Sequence, residues 1–129
     1  LTQKYKILFT SSHTSLITEI CEVLTSFLQP FEWQFTYVPV LPYSVFGILD
    51  APVPVLVGMH SSRVRPDFYS DPEKELVIAD LDTNRIHIPS QCELIEIPNQ
   101  IFKPLKADLK QYAKANKVQI YDKNTIQFV

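Results

Sequence analysis

The chain has 129 residues, 46% hydrophobic and 20% charged, with net charge −2 and a pI near 5.9. This suits one compact domain with a buried core and excludes disordered and collagen-like classes, while the absence of a basic excess argues against a nucleic-acid binder. Only 2 Gly stand against 10 Pro, where average usage gives about 9 and about 6, so neither GxGxxG nor GxxxxGK[ST] can be written and a glycine loop cradling phosphate is ruled out.

Residues 6–10 form a short apolar run closed by Ser11-Ser12, read as a buried strand. Over residues 15–29 the apolar positions Leu16, Ile17, Ile20, Cys21, Val23, Leu24, Phe27 and Leu28 recur at helical spacing. Ser12, Thr14 or Ser15 is the expected cap, and Pro30 the stop. Residues 31–38 alternate aromatic or apolar with polar side chains and read as a strand, with Trp33 in the core. Residues 43–49 suggest a single helical turn, and residues 53–59 a second buried strand ending at His60-Ser61-Ser62. Residues 63–74 are polar and proline-containing and read as an exposed loop. Residues 75–80 are a further buried strand, turned by Leu81-Asp82-Thr83-Asn84 into a hairpin partner over residues 85–88, with His87 on its outer face. Residues 89–99 read as loop. A helix follows from Pro104, placed in its first turn, to about Ala115, with Leu105, Leu109 and Tyr112 as the buried stripe. Residues 117–129 alternate around Asp122-Lys123-Asn124, which suggests a terminal hairpin. The pattern is that of an α/β fold: a small, mostly parallel sheet with flanking helices in three layers, in one domain spanning 1–129.

No apolar stretch approaches the length of a membrane span, and the first residues lack a signal-peptide core, so an intracellular setting is expected. Cys21 and Cys92 are too few for a disulfide framework or a thiolate zinc site and read as two reduced thiols. Charge is uneven: residues 1–99 hold 6 Lys+Arg and 12 Asp+Glu, whereas residues 100–129 hold 6 Lys and 2 Asp. Lys106, Lys110 and Lys114 recur every four residues. They are candidates for contact with anionic lipid or an acidic partner, weighed against an ordinary solvated helix face.

In open parallel sheets, ligands and partners meet the carboxyl ends of the strands. Those ends are Ser11-Ser12-His13, His60-Ser61-Ser62-Arg63 and Asp80-Leu81-Asp82. A Ser–His–Asp hydrolase finds no GxSxG elbow and no glycine-rich oxyanion turn. A metal site from His60, Asp80 and Asp82 competes with Asx-type hydrogen bonding of the two carboxylates in their turn, the commoner use. No catalytic motif, metal site or cofactor is expected.

The run Ile7-Leu8-Phe9-Thr10-Ser11-Ser12, the helix after it and Leu28-Gln29-Pro30-Phe31-Glu32-Trp33-Gln34 resemble the central part of a DENN domain. So do Tyr37-Val38-Pro39-Val40-Leu41-Pro42, residues 51–62 and Val77-Ile78-Ala79-Asp80-Leu81-Asp82-Thr83-Asn84. Five pieces in order over residues 6–88 make the resemblance specific, while residues 117–129 match nothing in it. It implies part of a guanine-nucleotide exchange factor for Rab-type GTPases in membrane traffic, cytoplasmic and peripheral on endomembranes, with the remaining lobes of the module supplied by a longer protein. An alternative is a DENN-like scaffold that binds a partner without exchange; another is an α/β enzyme with an accidental likeness. The prolines, Phe31, Trp33 and Leu41 read as structural, with prolines fixing turns and the aromatics filling the core. The GTPase-contact candidates are His60, Arg63, Asp80 and Asp82, weighed against a role confined to ordering their own loops.

Overall fold

The computed structural model describes residues 5–93, 96–117 and 127–128. Its elements are β1 (Lys6–Ser11), α1 (Thr14–Ser26), β2 (Thr36–Val38), a kinked 3₁₀ segment (Tyr43–Asp50), β3 (Val55–His60), a 3₁₀ turn (Ser61–Arg63), α2 (Asp67–Ser70), a second 3₁₀ turn (Pro72–Lys74), β4 (Leu76–Asp80), β5 (Arg85–His87), α3 (Asn99–Ala115) and β6 (Gln127–Phe128). The sheet order is β2-β3-β1-β4-β5-β6. β1 lies at the centre, parallel to β3 with Leu8 opposite Val57 and parallel to β4 with Leu8 opposite Ile78. β5 returns antiparallel to β4, and β6 adds parallel to β5. The expected α/β architecture, mostly parallel, is therefore present. Of the terminal hairpin, residues 118–126 lie outside the described residues.

Period-two alternation sends the apolar strand residues to opposite faces. Leu8, Val55, Val57, Met59, Leu76 and Ile78 pack with Leu41, Leu49 and Phe68 under the 3₁₀ segment and α2. Phe9 and Leu56 pack on the other face against Ile17 and Cys21 of α1, with Trp33 and Tyr37 at the margin. These are the three layers. Lys6, on the first face, is buried and donates from Nζ to the Leu49 carbonyl at 2.9 Å; burial lowers its pKa. Cys21 is fully buried, which pushes its thiol up to about 11, and neither Cys21 nor Cys92 is in a disulfide.

Several expectations are corrected. α1 ends at Ser26, and its N-cap is His13, without a side-chain cap bond. β2 spans three residues only: it is an edge strand whose first residue, Thr36, pairs with Val55, and the preceding positions of its neighbour include Pro54 and Pro52, which have no N–H to donate. Trp33 does join the core and donates its indole N–H to the Thr36 carbonyl at 3.1 Å, but Phe31 is 76% exposed and fills nothing.

Residues 63–74 are not a plain exposed loop. They fold into α2 and two 3₁₀ turns and bury Phe68, which a stretch too short to show periodicity conceals. His87 does not point to an open outer face; its ring meets Tyr69 of α2 edge-on at 5.4 Å and lines a small cavity of about 180 Å³ with Ile78, Asp80 and Arg85.

α3 begins at Asn99, five residues earlier than expected, so Pro104 lies inside the helix rather than in its first turn. The carbonyl it leaves unserved is that of Gln100, an exposed residue. The stripe Leu105, Leu109 and Tyr112 is exposed, at 40, 49 and 67%. Ala113 is the buried residue of the helix, with Phe102 and Lys106 half-buried.

Candidate functional site

Three strand ends meet on one rim, and local hydrogen bonds shape each. At the end of β1 the buried Ser11 donates from Oγ to Asp82 Oδ1 at 2.7 Å and accepts the His13 N–H at 2.9 Å. The Ser12 N–H donates to Asp82 Oδ2 at 2.7 Å. One carboxylate thus satisfies the amide and the hydroxyl where the strand turns toward α1. Ser12 Oγ lies 3.0 Å from His13 Nδ1, but Asp82 binds the two serines and makes no hydrogen bond to that imidazole, so the order of a catalytic triad is missing.

At the end of β4, Asp80 Oδ1 accepts the N–H groups of Asp82 (3.0 Å) and Thr83 (3.2 Å), and Oδ2 accepts the Thr83 hydroxyl at 2.7 Å. This is an Asx-type turn, closed by Asn84 at φ 55° in the left-handed region that asparagine tolerates. Among the described residues no group of three or more His, Cys, Asp or Glu comes together in a form that could hold a metal ion.

At the end of β3 the backbone turns at His60. Its Nδ1 accepts the Ser62 N–H at 3.2 Å and lies 2.8 Å from Ser62 Oγ. A nitrogen that accepts an amide proton carries none of its own, so the neutral ring holds its proton on Nε2. Arg63 ends the same 3₁₀ turn, exposed and in no ion pair among the described residues.

The connections after β1 and β3 leave toward opposite faces, α1 to one and α2 to the other, and a crevice opens between them. It measures about 410 Å³ and is lined by Thr14, Val40, Leu41, Pro42, His60, Ser62 and Arg63. Of the four sequence-derived candidates, His60 and Arg63 meet here. Asp80 and Asp82 do not line it: the Asp80 oxygens accept from its own turn, and the Asp82 oxygens accept from Ser11 and Ser12 at the end of β1. Sequence reasoning placed Ser62 on the rim without singling it out, and missed Thr14, Val40 and Pro42. Residues 39–42 carry no local sign of where they fold; the Leu41 N–H donating to the Gly58 carbonyl at 2.7 Å pins them across β3.

Two hydrogen bonds, from the Ser11 hydroxyl first and the Ser12 amide second, hold the Asp82 carboxyl below the usual carboxylate range. Stability from this group is therefore fully present above the unfolded value near pH 4 and is lost as pH falls through the lower folded value. Asp82→Ala is expected to cost about 1 kcal/mol at pH 7, discounted because the carboxylate is exposed. Urea unfolding of the two proteins from pH 7 down should show the gap closing below pH 4; a gap that widens toward acid contradicts the assignment.

Lys106, Lys110 and Lys114 lie far along the chain, on α3. Lys106 is half-buried with Nζ 5.9 Å from the centre of the Phe102 ring, while Lys110 and Lys114 are exposed. Among the described residues no helix is long and apolar enough to cross a membrane.

Comparison with known proteins adds the family. A model of the DENN (AEX-3) domain matches residues 1–84. "Elicitor of plant defense protein 1" of Fusarium odoratissimum is 35% identical over 88% of the chain, and its namesake in Verticillium dahliae 34% identical over 85%. "DENN domain-containing protein 1B" of Mus musculus is 34% identical over 85% of the chain. The chain spans 12, 9 and 14% of the length of these three relatives. The match spans β1 to the turn after β4, the part of the sheet that builds the rim, and the chain belongs to the DENN domain family.

Proposed function

We propose that this chain is part of a DENN-type guanine-nucleotide exchange factor, one that binds Rab-type small GTPases and promotes GDP release in membrane traffic. Family membership over residues 1–84 is the observation that carries the reading. A rim with an open crevice, and with no catalytic triad or metal cluster among the described residues, suits an exchange factor, which makes no covalent bond. Such a protein acts by binding the nucleotide-free GTPase more tightly than the nucleotide-bound one, and that difference in binding energy is what loosens the nucleotide. The elicitor name belongs to whole proteins of which this chain matches about a tenth, and it adds no separate reading for the domain. The remaining lobes of the module, and single-domain behaviour of residues 1–129, belong to the same proposal.

Stopped-flow release of a fluorescent GDP analogue from a panel of Rab-type GTPases tests it. The whole protein containing this chain is expected to speed release from at least one of them by tenfold or more. A protein that binds a GTPase while leaving its release rate unchanged is a scaffold, and the exchange reading is then wrong.

We further propose that the Lys106, Lys110 and Lys114 face of α3 contacts anionic surfaces, as a cluster of lysines on an exposed helix supports. A Lys106→Glu/Lys110→Glu/Lys114→Glu variant is expected to lose most of its co-sedimentation with phosphatidylserine-containing liposomes. Unchanged sedimentation would remove the idea.

A further inference from the structure

We infer that the crevice between the ends of β1 and β3 receives an acidic side chain of the GTPase, carried on a segment whose neighbouring residues are apolar. This deepens the exchange-factor reading and rests on it.

The charge inventory points to a carboxylate. Arg63 is the single full charge lining the crevice, and no acidic residue lines it. The two acids of the same rim are spent: Asp80 accepts three hydrogen bonds from its own turn, and Asp82 accepts from Ser11 and Ser12. The Arg63 guanidinium, in no ion pair among the described residues, presents several donors in a planar fork, the geometry that matches a carboxylate. His60 lines the same crevice with its Nδ1 engaged by Ser62.

The apolar part of the crevice points to what flanks the acid. Leu41 forms a buried floor, and Val40, 45% exposed, and Pro42 form the wall. This wall is preformed, because Pro39 and Pro42 restrict the backbone and the Leu41 N–H is tied to the Gly58 carbonyl at 2.7 Å. A pre-shaped apolar wall beside one cation selects an acid with aliphatic or aromatic neighbours and disfavours a basic segment through like charge. The size, about 410 Å³, falls among ordinary binding clefts.

Charge reversal with rescue tests the inference. Arg63→Glu in the whole protein is expected to lower affinity for the responsive GTPase at least tenfold without changing the unfolding midpoint, because Arg63 is exposed and forms no ion pair among the described residues. Among Asp→Lys and Glu→Lys variants of the GTPase surface, one is expected to restore affinity for Arg63→Glu to within about threefold while weakening binding to the unaltered protein. If Arg63→Glu binds the GTPase as well as the unaltered protein does, the crevice assignment is wrong while the exchange reading stands. A loss that no acid-to-lysine variant rescues also overturns the assignment. If no GTPase of the panel binds or releases GDP faster, both readings fall together.

Discussion

Gly58→Ala is expected to destabilise the domain by about 3 kcal/mol or more, the upper range for overpacking a core. A Cβ at this position would stand 2.0 Å from the Pro39 carbonyl oxygen and 2.2 Å from Ile17 Cγ2. The isoleucine is itself fully buried under α1, and the carbonyl belongs to backbone held in place two residues later by the Leu41 to Gly58 hydrogen bond. Neither obstacle can swing away as a surface side chain would. Gly47→Ala is the matched control: no atom lies within 4 Å of its Cβ, and neither glycine has a positive φ. That change is expected to alter stability by less than about 1 kcal/mol, stabilising if it acts through the unfolded chain. Guanidinium unfolding of both variants checks the pair, and equal midpoints would refute the packing around β3. Because residues 40–42 also wall the crevice, Gly58→Ala should weaken the proposed GTPase binding in whatever fraction remains folded.

Phe68→Ala carries the second large effect, about 3–5 kcal/mol. Phe68 is 2% exposed in a stretch that reads as surface loop, and it closes the sheet face formed by Leu8, Leu76 and Ile78. Arg65 stacks its guanidinium 4.8 Å from the ring centre, and Lys74, paired with Asp50 and 3.9 Å from Asp67, covers another side. Truncation leaves a cavity that this short turn, held by proline at residues 66 and 72, cannot collapse to fill. Thermal unfolding should show the loss as a midpoint lower by roughly 10–20 °C. A change of no more than about 0.5 kcal/mol, the usual size for a surface site, would return residues 63–74 to the status of an exposed loop.

α3 shows where periodicity misleads. Leu105, Leu109 and Tyr112 recur at helical spacing, which identifies an apolar face correctly. It does not say what covers that face. In this chain Ala113, with Phe102 and Lys106 beside it, makes the packing, and the stripe stays exposed. The same distinction separates the two aromatic neighbours Phe31 and Trp33: both look like core, but only Trp33 has a backbone carbonyl and the α1 layer within reach.

The amino-acid sequence by itself determined the buried strands, the main helix after β1, the α/β class, the family and the rim as the place to look. These follow from local pattern, because apolar runs, period-two alternation and a helical repeat are each properties of neighbours in the chain. It also determined that Asp80 and Asp82 belong to a turn. The tertiary structure alone decided that Gly58 has no room for a Cβ, that Phe68 is core, and that Asp82 accepts hydrogen bonds from the end of β1. It alone brought Val40 and Pro42 beside His60 and Arg63. Each of these depends on which distant segment lies above a given strand, and contacts across 19 to 71 residues leave no periodic mark in the sequence from which to read them.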